Sequence, residues 1–338
     1  MIKEAVKIVA EKIDLSRAEM RQAMDDIMEG RASDALIAAF LTAMKMKGET
    51  IEEITGAVEV MLEKSRKIKA PEGTVDTCGT GGDMAGTFNI STTAALVAAA
   101  CGVPVAKHGN ISVSSRSGSA NVLEALGIQI RLTTEQVELC LQETGFAFLF
   151  APLFHPAMKH AAGPRKELGI RTFFNLLGPL TNPAGAKRQV IGVYDPTLTE
   201  KIAGVLKNLR CHHAMVVHSA DGLDEISISD KTLITELKDS TTITYSFAPE
   251  DVNLARGNID DIVGGNAEDN ARITMEILDG QDGPKRDIVL LNAGAAILVG
   301  GKARIFPEAV ALAAQAVDSG AARKKLEQLR QFTSEMKS

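Results

Sequence analysis

The sequence predicts an α/β protein in which a small all-helical domain precedes a large α/β domain with a central, largely parallel sheet. Two observations support this prediction. The first 70 residues carry only helical patterns, and from Val75 onward short β-rich runs alternate with helical stretches. With 338 residues, the chain is long enough for two such units, each with its own core. We therefore expect a helical domain at residues 1–70 and an α/β domain at residues 73–338.

Four short helices are expected in the first domain. The first follows the helical spacing of Ile2, Val6, Val9 and Ile13, and the third runs from Ser33 to Gly48. The second and fourth each begin with a capping box, in which a hydroxyl residue is followed three positions later by glutamate; these pairs are Ser16 with Glu19 and Thr50 with Glu53. Together these helices predict a small bundle.

Seven β-rich runs are candidates for strands of the second domain. They are Val103–Ala106, Ile128–Leu132, Phe146–Phe150, Gln189–Tyr194, Ala214–His218, Thr241–Ser246 and Ile288–Leu291. Helical patterns lie between several of them, as at Glu135–Glu143 and Glu200–Leu209. The stretch at residues 155–183 is compatible with helix but is interrupted by four prolines. We expect part of it to join the helical domain.

The bulk composition argues against several classes of protein. The net charge is -6 at pH 7, which does not suggest a nucleic-acid or membrane surface. No apolar stretch of about 18 residues predicts a membrane span, and the start of the chain does not resemble a signal peptide. The four cysteines show no CxxC spacing, so neither a zinc site nor a disulfide framework is implied. A cytoplasmic location is therefore expected.

The most informative segment is a glycine-rich loop that leads directly into an alanine-rich helix. Gly79, Gly81 and Gly82 allow backbone N–H groups to approach an anion, and the helix that follows adds unpaired N–H groups and partial positive charge. The loop also carries Asp83, Asn89, Ser91 and Thr92, which a plain turn would not need. The spacing fits neither the P-loop nor the GxGxxG pattern. We interpret the segment as a phosphate or pyrophosphate site, with a purely structural turn as the alternative.

Two further loops carry charged residues after β-rich runs. Lys107 precedes His108, Gly109 and Asn110 and a serine-rich stretch, where a lysine could meet a phosphate. The Asp224–Glu225 pair follows another run, and carboxylates with a serine hydroxyl suit Mg²⁺, which prefers oxygen ligands and bridges phosphates. Each loop could instead be an ordinary solvent-exposed loop. A role in binding phosphate or metal is favoured only if both loops lie beside the glycine-rich loop.

Arginine and histidine side chains are weaker candidates. Arg165 could bind a substrate carboxylate through two parallel hydrogen bonds, or form a surface salt bridge. His108 could act as a base, although packing is the preferred interpretation of a single histidine in a tight loop. The pair His212–His213 has no further ligands at metal spacing and is interpreted as structural.

Taken together, these motifs resemble the anthranilate phosphoribosyltransferase family of tryptophan biosynthesis over essentially the whole chain. The segments that carry the resemblance occur in the family's order; they are Gly79–Asp83, Thr87–Thr92, Lys107–Asn110, His155–Met158, Arg171–Leu180 and Gly222–Glu225. The resemblance implies a two-domain architecture like that of nucleoside phosphorylases, with the active site in the cleft. It also implies a homodimer that associates through the helical domains.

The implied reaction is attack of the anthranilate amine on C1 of phosphoribosyl pyrophosphate, with release of pyrophosphate. The family's roles, carried to matching positions, assign phosphoribosyl pyrophosphate to Gly79, Gly82, Asp83, Thr87, Asn89, Ile90, Ser91, Thr92, Lys107, His108, Gly109, Asn110, Ser115 and Ser119. They assign anthranilate to Gly79, Asn110 and Arg165, and two Mg²⁺ ions per subunit to Ser91, Asp224 and Glu225. Lys107, Asp224 and Glu225 are the implied catalytic residues.

Two other functions compete with this interpretation. A nucleoside phosphorylase of similar architecture would use phosphate and a nucleoside, but the Asp224–Glu225 pair and the Lys107–Asn110 motif argue against it. A non-catalytic relative could bind nucleic acid or a regulatory nucleotide, but the net charge of -6 disfavours this function.

Overall fold

A computed structural model describes residues 1–83, 85–111 and 117–336 of the chain. Its first four helices are α1 to α4, at Ile2–Ala10, Arg17–Met28, Asp34–Lys47 and Ile51–Glu63. The side chains of Ser16, Ser33 and Thr50 each accept a hydrogen bond from the backbone N–H three residues later, which satisfies a donor that a helix start leaves unpaired. The predicted bundle is confirmed, except that Ile13 lies beyond the end of α1 and is 58% exposed.

The central sheet has seven strands in the described part of the chain. They are β1 to β7, at Val75–Gly79, Val105–Gly109, Phe146–Phe150, Arg188–Gly192, His213–Ser219, Thr232–Lys238 and Thr241–Phe247. Their order across the sheet is β3-β2-β1-β4-β5-β6-β7. The first five in that order run parallel, whereas β6 and β7 pair antiparallel, so the prediction of a largely parallel sheet is confirmed.

Eleven more helices are described around the sheet. They are α5 to α15, at Ile90–Ala100, Ser119–Ala125, Thr134–Thr144, Ala151–Phe154, Lys159–Leu168, Phe174–Leu180, Leu198–Asn208, Ala267–Leu278, Pro284–Val299, Phe306–Asp318 and Ala321–Glu335. Short 3-10 turns occupy Pro156–Met158, Pro249–Val252 and Ile259–Ile262. Helices α7 and α11 lie within two residues of their predicted positions. Among the helices described, none combines the length and apolar character that crossing a membrane requires.

Two predicted strands are wrong. Ile288–Leu291 lies inside α13, because a short apolar run buried on all sides does not reveal its period. Ile128–Leu132 does bury alternate residues, but the structure assigns no strand there, and the Gln129 N–H donates to Thr333 Oγ1 instead. Conversely, β1 and β6 were not among the predicted strands.

Apolar side chains fill both faces of the sheet and form two separate cores. Along β4 and β5, Val190 and Met215 belong to the core that contains α5 and α13, whereas Ile191 and Ala214 belong to the core of the helical bundle. This is the alternation that the pleat of a strand produces. The 155–183 stretch contributes to the bundle core through Ala161, Phe173, Phe174, Leu176, Leu177 and Leu180.

The strand order places a crevice beside β1. The chain passes from β1 outward to β2 and β3, then returns to the other side of β1 with β4. In open parallel sheets, ligands bind outside the carboxyl ends of the strands at such a reversal. The glycine-rich loop follows β1 and the Lys107 segment ends β2, so both lie at this edge of the sheet.

Candidate active site

A small cavity lies at the carboxyl ends of β1 and β4, where Gly79 and Gly192 are register partners. It is lined by Thr77, Cys78, Gly79, Ser91, Ala94, Val190, Gly192, Asp224, Glu225 and Asn292. The cavity therefore unites the glycine-rich loop, the start of α5 and the acid pair that follows β5.

Glycine at the two strand ends makes room for Asp224. A Cβ atom on Gly79 would lie 2.4 Å from Asp224 Oδ2, and one on Gly192 would lie 1.5 Å from the Asp224 carbonyl oxygen. Both distances are far below a van der Waals contact, so a side chain at either position would displace the acid. The absence of side chains on neighbouring strands allows a carboxylate to sit directly over the end of the sheet.

Backbone N–H groups from the first motif bind both carboxylates. The Gly81 N–H donates to Asp224 Oδ2 at 2.8 Å, and the Ser91 N–H at the start of α5 donates to Glu225 Oε1 at 3.2 Å. A helix start leaves such N–H groups without partners within the helix, and they favour negative charge. Gly81 and Asp224 are 143 residues apart in the sequence. The acid pair and the glycine-rich loop thus form one site.

Both carboxylates are held in an environment that disfavours their charge. Burial, followed by the charge of Asp83, raises the pKa of Asp224 to about 7. Burial, followed by the charge of Asp224, raises the pKa of Glu225 to about 8, although Lys107 opposes the increase. Two adjacent acids with raised pKa values provide a site where added positive charge is strongly favoured.

Lys107 supplies a buried cation beside this pair. Its side chain is 2% exposed, and Nζ donates to the Thr77 carbonyl oxygen and to Ser91 Oγ, the latter at 3.2 Å. Lys107 is the middle residue of β2, and its ammonium group bonds Thr77 of the neighbouring β1 and Ser91 at the start of α5. The structure therefore brings Lys107 and Ser91 together with the acid pair.

The rest of the glycine-rich segment surrounds the start of α5. Thr87 forms an isolated bridge with Val263, and Asn89 Nδ2 donates to the Ser117 carbonyl at 3.3 Å. Ile90 and Thr92 are buried, and Thr92 Oγ1 has no hydrogen-bond partner among the described residues. A buried hydroxyl without a partner at a helix start is consistent with a bound anion.

Gly82 and Asp83 lie where the loop turns away from β1. Gly82 has a φ of +83°, a left-handed conformation that favours glycine, and its carbonyl accepts a hydrogen bond from Arg171 Nη2. Asp83 Oδ1 accepts from the Ala85 N–H at 3.3 Å and influences the pKa of Asp224. Arg171 also lies over the Tyr194 ring, at 4.7 Å from its centroid.

The loop after β2 is described only in part. A Cβ atom on Gly109 would lie 2.3 Å from Ser119 Oγ, so glycine permits close packing of the strand end against α6. The Asn110 carbonyl accepts from the Ala120 N–H at 3.3 Å, and Asn110 Oδ1 accepts from the Ile111 N–H at 2.8 Å. The prediction for Ser115 falls outside the described residues.

His108 and His155 are buried beside the site, where burial disfavours the charged form of each ring. Burial, with the neighbouring His155 as a second cause, lowers the pKa of His108 to about 3, and burial lowers the pKa of His155 to about 4. His108 Nδ1 pairs with the Gly178 carbonyl at 3.0 Å, and the two rings lie 5.0 Å apart. His213 pairs with Glu236 at 2.7 Å, which agrees with the structural interpretation of the His212–His213 pair.

Arg165 on α9 is half-buried and has no carboxylate partner in the part of the chain that the structure describes. Its guanidinium lies over the Phe174 ring, 5.2 Å from the centroid. Burial lowers the pKa of this arginine. It is thus a positioned cation whose charge is not neutralised by a protein carboxylate, and the salt-bridge alternative is wrong within the described residues.

Three residues at this site were given no role from sequence. Gly192 lies within a predicted strand, where an interior glycine could have signalled the close approach of another backbone. Asn270 Nδ2 donates to Asn89 Oδ1 at 2.9 Å, from a helix 181 residues away, and no sequence pattern indicates this contact. Arg171 belongs to a segment that carried the resemblance, but its bond to Gly82 was not foreseen.

Comparison with known families agrees with the division into a bundle and a sheet. Residues 3–65 match the family model described as the glycosyl transferase family, helical bundle domain. Residues 71–323 match the a/b domain of the same family.

Individual relatives are similar over the full chain. The anthranilate phosphoribosyltransferase of Acetivibrio thermocellus is 53% identical over 334 residues, which is 98% of this chain and 97% of the relative. That of Moorella thermoacetica is 55% identical over 328 residues, which is 97% of each chain.

Solved structures are also similar to this chain over nearly its full length. Anthranilate phosphoribosyltransferase (TrpD) from Thermus thermophilus matches with a TM-score of 0.93 at 41% identity, over 98% of this chain and 99% of that one. The enzyme from Saccharomyces cerevisiae in complex with PRPP and Mg matches with a TM-score of 0.90 at 27% identity, over 99% and 98% of the two chains.

Proposed function

This chain belongs to the anthranilate phosphoribosyltransferase family, and we propose from that premise that its cavity transfers the phosphoribosyl group of phosphoribosyl pyrophosphate to the amine of anthranilate. The products are N-(5-phosphoribosyl)anthranilate and pyrophosphate, and the reaction belongs to tryptophan biosynthesis. The observation that carries the proposal is the meeting of the glycine-rich loop and the Asp224–Glu225 pair at one cavity, with Lys107 bonded to Ser91 of the cavity lining.

Phosphoribosyl pyrophosphate would lie across the carboxyl ends of β1 and β2. The start of α5 provides the positive end of the helix and the Thr92 hydroxyl, which has no partner among the described residues, for its anionic oxygens. We assign the same set that the resemblance implies: Gly79, Gly82, Asp83, Thr87, Asn89, Ile90, Ser91, Thr92, Lys107, His108, Gly109, Asn110, Ser115 and Ser119. Anthranilate would contact Gly79, Asn110 and Arg165.

The residues of the cavity fit Mg²⁺. Ser91, Asp224 and Glu225 offer oxygen atoms, and the raised pKa values of both acids indicate a need for positive charge. Among the described residues, no group of three or more His, Cys, Asp or Glu side chains is arranged to hold a metal alone. Mg²⁺ usually binds through one or two protein carboxylates and completes its shell with water and substrate phosphates, and the cavity lining offers Asp224 and Glu225. We propose two ions per subunit.

The chain's own residues would act mainly on the leaving group. As the bond from C1 to pyrophosphate breaks, positive charge builds on the ribose and negative charge on the pyrophosphate. Lys107 and the start of α5 are fixed in place to stabilise the developing negative charge, and bound Mg²⁺ would neutralise more of it. The aryl amine is neutral at pH 7, so the attack does not require a strong base. The rest of the rate enhancement would come from positioning the amine against C1.

A fluorescence assay tests the proposed reaction. The protein is mixed with anthranilate, phosphoribosyl pyrophosphate and Mg²⁺, and the loss of anthranilate emission is followed with and without chelator. Loss that depends on the metal, with release of pyrophosphate, is expected. No loss from a folded protein, together with release of base from a nucleoside and phosphate, would instead favour the nucleoside phosphorylase.

Replacing Arg165 should weaken the binding of anthranilate. In Arg165→Ala, the KM for anthranilate is expected to rise about 10- to 100-fold, the range for losing one hydrogen-bonded ion pair, while kcat changes little. Steady-state kinetics with saturating phosphoribosyl pyrophosphate measures both constants. Arg165→Lys keeps the charge without the planar fork and should be intermediate. Lys166→Ala, at the exposed neighbouring position, is the control; an unchanged KM in Arg165→Ala would place the carboxylate contact elsewhere.

We also propose a homodimer that associates through the helical domains. Helices α1 and α3 form a mostly apolar surface groove lined by Val6, Val9, Ala10, Lys12, Ala38, Ala39, Thr42, Ala43, Met46 and Lys47. Met46 is 73% exposed, which is unfavourable for an isolated subunit unless another surface covers it.

Charge placed in this groove should separate the subunits. Light scattering after gel filtration is expected to give twice the 35.9 kDa of one chain for the wild type. The variant Ala39→Glu with Met46→Glu should give the mass of a single chain, because apposed apolar surfaces cannot bury unpaired carboxylates. Lys45→Glu, at an exposed position beside the groove, is the control. A single-chain mass for the wild type would contradict the dimer.

Two further features stay predictions. The domain limits are residues 1–70 with part of 155–183 and residues 73–338; Ala161 and Phe173 lie in the bundle core, and that core also includes Ile191 and Ala214 of the sheet. The cytoplasmic location is expected from the pathway that we propose.

A further inference from the structure

The backbone of Ile226, the residue that follows Glu225, is held by one buried side chain, Asn292 of α13. Asn292 Oδ1 accepts from the Ile226 N–H at 3.0 Å, and Nδ2 donates to the Ile226 carbonyl at 2.9 Å. A backbone N–H can only donate, so this bond determines which atom of the amide is the oxygen. One side chain thus satisfies both backbone polar groups of the residue next to the acid pair.

The orientation of this amide is itself fixed. The second hydrogen on Nδ2 donates to the Ile288 carbonyl, one turn earlier in α13, at 2.9 Å. Asn292 is 3% exposed and lines the cavity together with Asp224 and Glu225. With these three bonds made inside a packed helix face, the side chain has little freedom to reorient.

The loop carries two adjacent buried acids, and each is bound by a backbone N–H from another segment: Gly81 for Asp224 and Ser91 for Glu225. The position of the loop backbone therefore decides whether both bonds can form. The Asp221 carboxylate holds the remaining part of the loop, since it accepts from Ser227 Oγ at 2.5 Å and from Ser229 Oγ. The backbone directly after Glu225 is instead held from outside the loop, by Asn292.

We infer that Asn292 is a positioning residue for the metal–pyrophosphate site, and that it fixes the backbone so that the Glu225 carboxylate stays at the start of α5. The inference rests on the function proposed above for the cavity. A side chain that orients a ligating carboxylate without touching the metal influences metal affinity, commonly by about 10- to 100-fold.

Calorimetric titration of the full chain with Mg²⁺ and inorganic pyrophosphate tests this role. Asn292→Leu keeps a similar volume but removes both bonds to Ile226, and its Kd is expected to rise at least about tenfold. Leu291→Ala is the matched control, because it removes a fully buried side chain at the adjacent position of the same helix. It should lower the Tm and leave the Kd unchanged.

The measured Kd values distinguish a positioning role of Asn292 from a purely structural one. A Kd for Asn292→Leu within about twofold of the wild type, or equal to that of Leu291→Ala, would overturn the inference alone. If Asn292→Leu does not fold, Asn292→Ser decides, because it keeps one hydrogen-bonding group and should show a smaller increase in Kd. A wild type that does not bind magnesium pyrophosphate would overturn the proposed function, and this inference with it.

Discussion

Replacing Asp224 by Asn and Glu225 by Gln together is expected to lower kcat by about a thousandfold or more, because the charge that would hold Mg²⁺ against the leaving pyrophosphate is lost. The fold should survive, since the amides fit the same space. The measurement is the fluorescence assay with saturating substrates. The control is Glu72→Gln with Asp260→Asn, which makes the same change of charge at two exposed positions and should keep full activity. A near-normal rate in the double variant would contradict the metal assignment.

The same variant should also alter how stability depends on pH. The pKa values of Asp224 and Glu225 are raised from 3.8 and 4.5 to about 7 and about 8, so the folded chain holds these protons more tightly than the unfolded chain. Their contribution is therefore fully favourable below the unfolded values, and it is lost as pH rises through the folded values. Without metal, the Tm of the double variant minus that of the wild type should grow between about pH 5 and pH 8. A difference independent of pH would contradict the raised pKa values.

Lys107→Met is the second substitution with a large expected effect. It removes the buried cation that we propose acts on the leaving group, and kcat is expected to fall by about 100- to 1000-fold, as for a lost preorganised donor. Without Lys107, the pKa values of Glu225 and Asp76 should rise further, because burial raises both and the lysine opposes it. Steady-state kinetics measures the fall in kcat. Thermal unfolding of the metal-free protein at about pH 6 and pH 8 measures the change in the pKa values.

A lysine of the surface provides the control for this experiment. Lys207 is exposed near the end of α11, and Lys207→Met should leave both rate and unfolding unchanged. If Lys107→Met kept its kcat within about tenfold of the wild type, the proposal that this lysine stabilises the leaving group would be wrong.

Local signals predicted the helices of the bundle well, because these helices carry their own start signals. The capping boxes at Ser16 and Thr50 mark helix starts because their hydrogen bonds connect residues only three apart. Strands were harder, since their hydrogen bonds depend on partners far along the chain. Ile128–Leu132 has the alternation of a strand but lies where no neighbouring strand is available among the described residues, and β6 was overlooked although it pairs with β5.

The chemistry of the candidate site could be foreseen from residue types, but its geometry could not. The sequence predicted an anion-binding loop at Gly79–Thr92 and oxygen ligands at Asp224 and Glu225. That a Gly81 N–H bonds Asp224 follows from the strand order, which no local pattern encodes. Asn270, which only supports the site by donating to Asn89, carries no chemical signal of its own.

The core shared by the bundle and the sheet restricts how this protein can be recombined with its relatives. Ile191, Ala214 and Val216 of the sheet belong to the same apolar cluster as Ile54 and Phe173. A chimera that exchanged only the bundle would place foreign side chains against this face, and close-packed interiors tolerate such mismatches poorly. The unit of exchange is therefore the bundle together with the sheet face and the α11 helix on which it rests, rather than a segment cut at the linker.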